Sequence, residues 1–204
     1  YVFYRPKDVV SGDFYFVEQT TPNAGAPLVL FAAVDCTGHG VPGAFMSIVG
    51  NNFLTQAISE STVNSTAEAL NFLNVGVSKA LRQDRKMNDE TVRDGMDIAL
   101  CGLDSKSKKI YFSGAKNPLY IIRKGESEAA LGFEEIEGNK PPMKCENSDF
   151  YLQEFKGDAH PIGAYVGDEL KHFTQHVVQL QKDDLIFVFS DGFPDQFGGA
   201  DGKK

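Results

Sequence analysis

Leu28-Val29-Leu30-Phe31-Ala32-Ala33-Val34-Asp35-Cys36-Thr37-Gly38-His39-Gly40 is a run of apolar residues that gives way to a carboxylate and then to glycines. A short continuous apolar run with β-branched and aromatic members, closed by turn residues, predicts a buried strand. A buried strand that ends in Asp35 carries a carboxylate to a site. The arrangement recurs twice: Ser11-Gly12-Asp13 opens the apolar run Phe14 to Val17, and Leu185 to Ser190 closes in Asp191-Gly192. Three aspartates at strand ends suggest one metal centre.

Outward from this stretch, residues Asp13 to Asp35 read as an antiparallel hairpin around a Pro-, Asn- and Gly-containing turn at Thr20 to Pro27. Pro42 sits where the first turn of a helix accepts it, and Phe45, Val49, Phe53 and Ala57 recur at every fourth place, with Met46, Leu54 and Ile58 widening the apolar face. That helix is expected to be well buried. Ser65-Thr66-Ala67-Glu68 has the capping-box pattern and starts a second helix with Leu70, Leu73, Val77 and Leu81 on one stripe, placed to cover a sheet. Short strands follow at Asp97 to Leu103, Ile110 to Ser113, Leu119 to Arg123, Phe173 to Leu180 and Asp184 to Ser190. The stretch from Gly125 to Gly167, broken by Pro141-Pro142, reads as loops and edge strands only. Strands, then two helices, then strands favour an α+β layered domain over alternating βαβ units.

The chain has 204 residues, 42% of them hydrophobic, enough for a continuous core without requiring two domains. With 28 Asp and Glu against 20 Lys and Arg, the net charge of −8 argues against a nucleic-acid surface. No apolar run reaches the roughly 18 residues of a membrane-spanning helix, and no secretory signal pattern occurs, so no membrane contact is expected and the chain reads as cytoplasmic. Cys36, Cys101 and Cys145 are too scattered for a disulfide framework or CxxC zinc site. A chain that starts at Tyr1 and stops at Lys204 is expected to be a piece of a longer protein, with regulatory parts outside it.

Bringing carboxylates together is costly, since like charges ~4 Å apart repel by about 4 kcal/mol per pair at an effective dielectric near 20. A divalent cation reverses the sign. The donors are oxygens without His or Cys spacing, which favours Mg²⁺ or Mn²⁺ over zinc or copper. Ions of this kind lower the pKa of bound water and fix a phosphoryl oxygen for in-line attack.

Taken in order, Ser11-Gly12-Asp13-Phe14-Tyr15, Asp35 to Ala44, Ser113-Gly114-Ala115-Lys116-Asn117-Pro118-Leu119 and Ser190-Asp191-Gly192 resemble the metal-dependent type 2C (PPM) protein serine/threonine phosphatases. The resemblance is narrowest to the bacterial branch typified by the sporulation phosphatase SpoIIE and the stress-response phosphatase RsbU. It implies a four-layer α-β-β-α sandwich of two mainly antiparallel sheets flanked by helices, and 1–204 as a single domain incomplete at its C-terminus. It also implies two Mn²⁺ or Mg²⁺ ions in the complete domain and hydrolysis of phosphoserine or phosphothreonine by a metal-activated water. By the same resemblance Asp13, Asp35 and Asp191 are catalytic metal ligands, joined by the backbone carbonyl of Cys36. A further ligating aspartate is expected past Lys204. Substrates in this branch are phosphorylated anti-sigma-factor antagonists, and a sensor region commonly lies N-terminal to the phosphatase; a homodimer stays open.

Plainer readings stand beside these. An Asp-Gly pair at a strand end is, alone, more often a turn than a ligand. Gly12, Gly38, Gly40 and Gly192 are read as shaping turns, and so is His39, because Thr37 occupies the place where eukaryotic members carry a histidine. Asp94 and Asp97 are candidates for a third ion or a switch, or equally caps of a loop. Arg5 and Lys7 are the nearest candidates to bind phosphate, against the commoner fate of exposed salt bridges. The reading from a different class is a catalytically silent docking or dimerisation module on the same fold; a small-molecule phosphohydrolase is a third.

Overall fold

In the computed structural model, which describes residues 1–6, 9–20, 27–38, 40–60, 64–81, 94–134, 136, 138–163 and 171–192, the apolar stretch becomes an inner strand. Strand β1 (Phe14–Thr20) pairs antiparallel with β2 (Leu28–Cys36), from Phe14 opposite Val34 to Thr20 opposite Leu28. β2 pairs in turn with β3 (Met96–Asp104), and β3 with β4 (Lys109–Ala115). A second sheet is built on β5 (Leu119–Lys124), flanked by β7 (Phe150–Phe155), with the two-residue β6 (Met143–Lys144) beyond it. Strand β8 (His176–Gln179) completes the first sheet beside β4, and β9 (Leu185–Phe187) the second beside β5. Both sheets are antiparallel, with orders β1-β2-β3-β4-β8 and β6-β7-β5-β9.

Alternation along the inner strands gives each face of the first sheet its own core. Met96, Ile98 and Leu100 join Leu30, Ala32 and Val34 in a cluster with the helices, whereas Ala99 and Cys101 join Phe112, Leu119, Ile121 and Phe155 between the sheets. Helices α1 (Gly40–Ser59) and α2 (Thr66–Ala80) lie on the outer face of the first sheet. Among the described residues α1 and α2 are the α-helices, so they supply with the two sheets the α, β and β layers of the implied sandwich.

The two helices differ in how well their buried faces were legible. In α2 the Ser65 hydroxyl accepts from the Glu68 N–H at 3.1 Å, and Leu70, Leu73 and Val77 are wholly buried, as the cap and stripe predict. Each such side chain contributes about 1.5–3 kcal/mol. In α1 the expected stripe is rotated: Gly43, Met46, Gly50, Leu54 and Ala57 face inward, and Phe45 is 65% exposed. Apolar residues surround this helix, so their period does not select a face. Glycines do, because a Cβ on Gly43 would stand 2.6 Å from the Gly38 carbonyl oxygen and 3.0 Å from the Gly12 Cα, so the helix start is pressed onto the segment that precedes β1.

The stretch expected to hold only loops and edge strands contains β7, which is an inner strand. Its buried residues are Tyr151, Gln153 and Phe155, and the polar Gln153 interrupts the apolar alternation that would have announced it. The Gln153 side-chain amide is satisfied by donating to the Lys140 and Glu154 carbonyls. On the neighbouring strand Arg123 is buried against Asp184, with Nε 2.8 Å from Oδ1 and a second guanidinium nitrogen 2.6 Å from Oδ2. It also donates to the Leu131 and Gln179 carbonyls and lies 4.0 Å over the Phe133 ring. This fork fixes the turn before β9, and so the strand that leads to Asp191.

Candidate functional site

Strand register alone lines up three of the acidic residues. Asp35 is directly opposite Asp97 across β2 and β3, and one step beyond the Phe14–Val34 pair brings Asp13 beside Asp35. One step beyond the Ile98–Ala115 pair brings Lys116 beside Asp97. The row Asp13, Asp35, Asp97, Lys116 therefore crosses four strand ends on the face turned toward the second sheet, because its members share the parity of Ala99 and Cys101. Asp191 arrives from the second sheet, after β9, and its N–H is 3.4 Å from Asp35 Oδ2. Asp13 also reaches this point, since its Oδ2 lies 4.0 Å from where a Cβ on Gly192 would sit.

Concentrated negative charge shows in the ionisation of Asp35. Burial first, then the charges of Asp13 and Asp191 and a hydrogen bond with Asp191, push its carboxyl from 3.8 up to about 7. Asp97 is raised as well, by burial, with Lys116 opposing the rise. Asp35, Asp94, Asp97 and Asp191 line a cleft of about 200 Å³ together with Thr37, Gly95, Lys116, Pro161 and Ile162.

The residues after Asp35 do different work. Cys36 turns its thiol into the helix-side core, where burial pushes it up to about 12, so the sulfur faces away from the acidic row. Its carbonyl oxygen is 3.3 Å from the place of a Gly12 Cβ, so a side chain at Gly12 would crowd it. Thr37 ties β2 to the start of β3: its N–H and hydroxyl donate to the Gly95 carbonyl at 2.9 and 3.0 Å, and the hydroxyl accepts the Gly95 N–H at 3.1 Å. Gly38 and Gly40 have φ of +88° and +64°, left-handed values that the strand-to-helix turn requires of glycine.

The structure brings together Asp13, Asp35 and Asp191, and adds Asp94 and Asp97 on the cleft wall. Arg5 is exposed and does not line that cleft, although neighbouring Tyr4 donates its hydroxyl to the Asp13 carbonyl at 3.0 Å. Lys7 and His39 lie outside the described residues.

Lys116 is the functional candidate that reading for aspartates passes over. Its ammonium is 3.5 Å from Asp97 Oδ2, with side-chain exposures of 48% and 30%. Its backbone is left-handed at φ 59°, held by its N–H donating to the Asp158 carbonyl at 2.8 Å. A non-glycine residue there costs about 1 kcal/mol, and a half-exposed ion pair contributes about 0–1 kcal/mol, so the pair does not explain the residue as a stabilising device. The signal in sequence was the Asn117-Pro118 turn, which places Lys116 at a strand end beside the aspartates.

The donor set fits a hard divalent cation: oxygens only, drawn from both sheets, with one carboxyl driven toward protonation by burial and then by its acidic neighbours. Among the described residues no three His, Cys, Asp or Glu side chains close into a finished cation shell.

Residues 27–203 match the model of the stage II sporulation protein E (SpoIIE) family. No curated protein sequence matches the chain. Among solved structures, the SiaA-PP2C domain of Pseudomonas aeruginosa superposes with a TM-score of 0.70 at 27% identity over 98% of the chain. The chain spans 64% of the length of that structure. The PP2C phosphatase domain of SpoIIE from Bacillus subtilis, solved with a fragment of its regulatory domain, matches at TM-score 0.57 and 17% identity, over 93% of this chain and 44% of that one. RsbX in complex with magnesium matches at TM-score 0.56 and 11% identity, over 95% and 71%.

Proposed function

The chain belongs to the SpoIIE family of PPM (type 2C) phosphatase domains, and from that premise we propose that it is a Mn²⁺- or Mg²⁺-dependent phosphatase of phosphoserine and phosphothreonine in proteins. The observation that carries the proposal is the meeting of Asp191 with Asp35, which are 156 residues apart in sequence. Asp13, Asp35 and Asp191, with the carbonyl of Cys36, would hold two ions. Bound divalent ions supply the acidity that readies a water for attack on phosphorus and the charge that orients the phosphoryl oxygens. RsbX, which shares the fold, was solved with magnesium.

The chain's own residues do the positioning. Asp35, set between Asp13 and Asp191, holds a proton or a cation according to pH and metal supply, because its carboxyl is raised to about 7. Thr37 fixes the β2–β3 end, and Gly12, Gly38 and Gly43 let the start of α1 close against it. Asp94 and Asp97 would serve a third ion or a switch. The proposed setting is bacterial cytoplasmic signalling, with a phosphorylated anti-sigma-factor antagonist as substrate and a sensor region outside the chain.

The test is release of phosphate from a phosphoserine protein by the full-length protein, with Mn²⁺ supplied or chelated. Activity is expected with Mn²⁺ and lost on chelation and in Asp35→Ala. Activity that survives either change contradicts the mechanism. Mn²⁺ bound no more tightly by the wild type than by the Asp13→Ala/Asp191→Ala double variant favours a silent docking module instead.

A further inference from the structure

We propose that Lys116 is the phosphate-binding cation of the cleft, held ready by Asp97 to take a phosphoryl oxygen of the substrate; this deepens the phosphatase reading and rests on it. A phosphomonoester dianion entering this cleft meets Asp35, Asp94, Asp97 and Asp191 on its walls. Lys116 is the basic side chain that lines the cleft among the described residues. Its ammonium carries three donors, and Asp97 at 3.5 Å occupies one of them loosely, beyond the ~2.7–2.9 Å of a tight charge-assisted bond. The others are available to an incoming oxygen. Asp97, one place from Asp35 along the row, sets the lysine beside the carboxylates rather than out in solvent.

The backbone is built to hold the lysine there. Gly114 and Gly157 meet with no room for side chains: a Cβ on Gly114 would be 2.9 Å from the Gly157 Cα and 2.4 Å from the Asn117 carbonyl oxygen. That approach lets Asp158 lie along β4, donating its N–H to the Gly114 carbonyl and accepting from the Lys116 N–H, both at 2.8 Å. The Asn117 N–H donates to the Ala115 carbonyl at 2.7 Å, closing the tight turn in which Lys116 is left-handed. Strain at a site of this kind is retained where the surrounding structure over-determines it. Here the residue that bears it carries the cleft's cation.

The test compares Mg²⁺-loaded wild type, Lys116→Gly and Lys116→Arg. Glycine accepts the left-handed backbone, so Lys116→Gly removes the charge without straining the turn. Titration calorimetry with inorganic phosphate, steady-state hydrolysis of a phosphoserine peptide and thermal melting are measured on each. Lys116→Gly is expected to weaken phosphate binding and raise KM by about tenfold or more, with an undiminished melting temperature, and Lys116→Arg, which keeps the charge in a different shape, to recover part of both losses. Unchanged phosphate affinity and KM in Lys116→Gly, with the wild type active, overturn the lysine's role alone. Equal losses in Lys116→Gly and Lys116→Arg also overturn it. A wild type that leaves the phosphopeptide intact refutes the phosphatase reading and this inference with it.

Discussion

Asp35→Asn is expected to stabilise the metal-free protein and to abolish its stabilisation by metal. The change keeps the shape of the side chain and its acceptor for the Asp191 N–H, and removes only the charge. Between 3.8 and about 7 the folded Asp35 holds a proton that the unfolded chain has lost. Stability from this group is therefore complete below pH 3.8 and is lost as pH rises through about 7. The full difference corresponds to about 4 kcal/mol, which screening at a partly exposed site reduces to about 2 kcal/mol. For a chain of this size each kcal/mol moves the melting temperature by about 2–4 °C, so Asp35→Asn should melt about 4–8 °C above the wild type in chelator at pH 8. At pH 5 the advantage should shrink to roughly a third of that, because the folded carboxyl is then largely protonated while the unfolded one is not. With Mn²⁺ at about a hundred times its dissociation constant, the wild type should gain about 2.7 kcal/mol and the variant far less. Differential scanning calorimetry at the two pH values, with chelator and with Mn²⁺, reads all four conditions. A variant that melts below the wild type in chelator at pH 8, or that gains equally at both pH values, refutes the account of Asp35.

Three other predictions address the scaffold of the site. Gly43→Ala, a change that favours an isolated helix by about 1 kcal/mol, should here destabilise by about 1–3 kcal/mol, because its Cβ would lie 2.6 Å from the Gly38 carbonyl oxygen; urea unfolding with an unchanged or raised midpoint contradicts this. Arg123→Ala leaves Asp184 charged and buried and should cost about 3–5 kcal/mol, whereas Arg123→Met with Asp184→Leu should recover most of it. A chemical-denaturation loss under about 1 kcal/mol for the single variant would show that the fork does not hold β9. Burial raises the thiols of Cys36 and Cys101, the former to about 12, so iodoacetamide at pH 8 should label Cys145 in the native protein and all three cysteines in urea; native labelling of Cys36 at the unfolded rate counts against its inward thiol.

The elements with one strong periodic signal were legible in the sequence. The capping box at Ser65 and the stripe through Leu70, Leu73 and Val77 define α2, and the run ending at Asp35 defines β2, because in both the buried side chains are apolar and the boundary has its own chemistry. The face of α1 was not legible, since its contact is made by glycines whose role depends on a segment distant in sequence. Nor was β7, where buried Gln153 relies on partners that only the fold provides. In the candidate site, Asp13, Asp35 and Asp191 announced themselves by standing at the ends of apolar runs. Lys116 did not, because its meaning lies in the register that sets it beside Asp97. Arg5 stands near Asp13 along the chain but is exposed and off the cleft, since nearness along the chain carries less information about a cleft than nearness across strands.

Anomalous diffraction from a crystal soaked in Mn²⁺ tests the central claim most directly. Two ions lying among Asp13, Asp35, Asp191 and the Cys36 carbonyl are the predicted result. No anomalous peak at that point, in a crystal that takes up Mn²⁺ elsewhere, would contradict the claim that these carboxylates meet to hold the metals of a phosphatase.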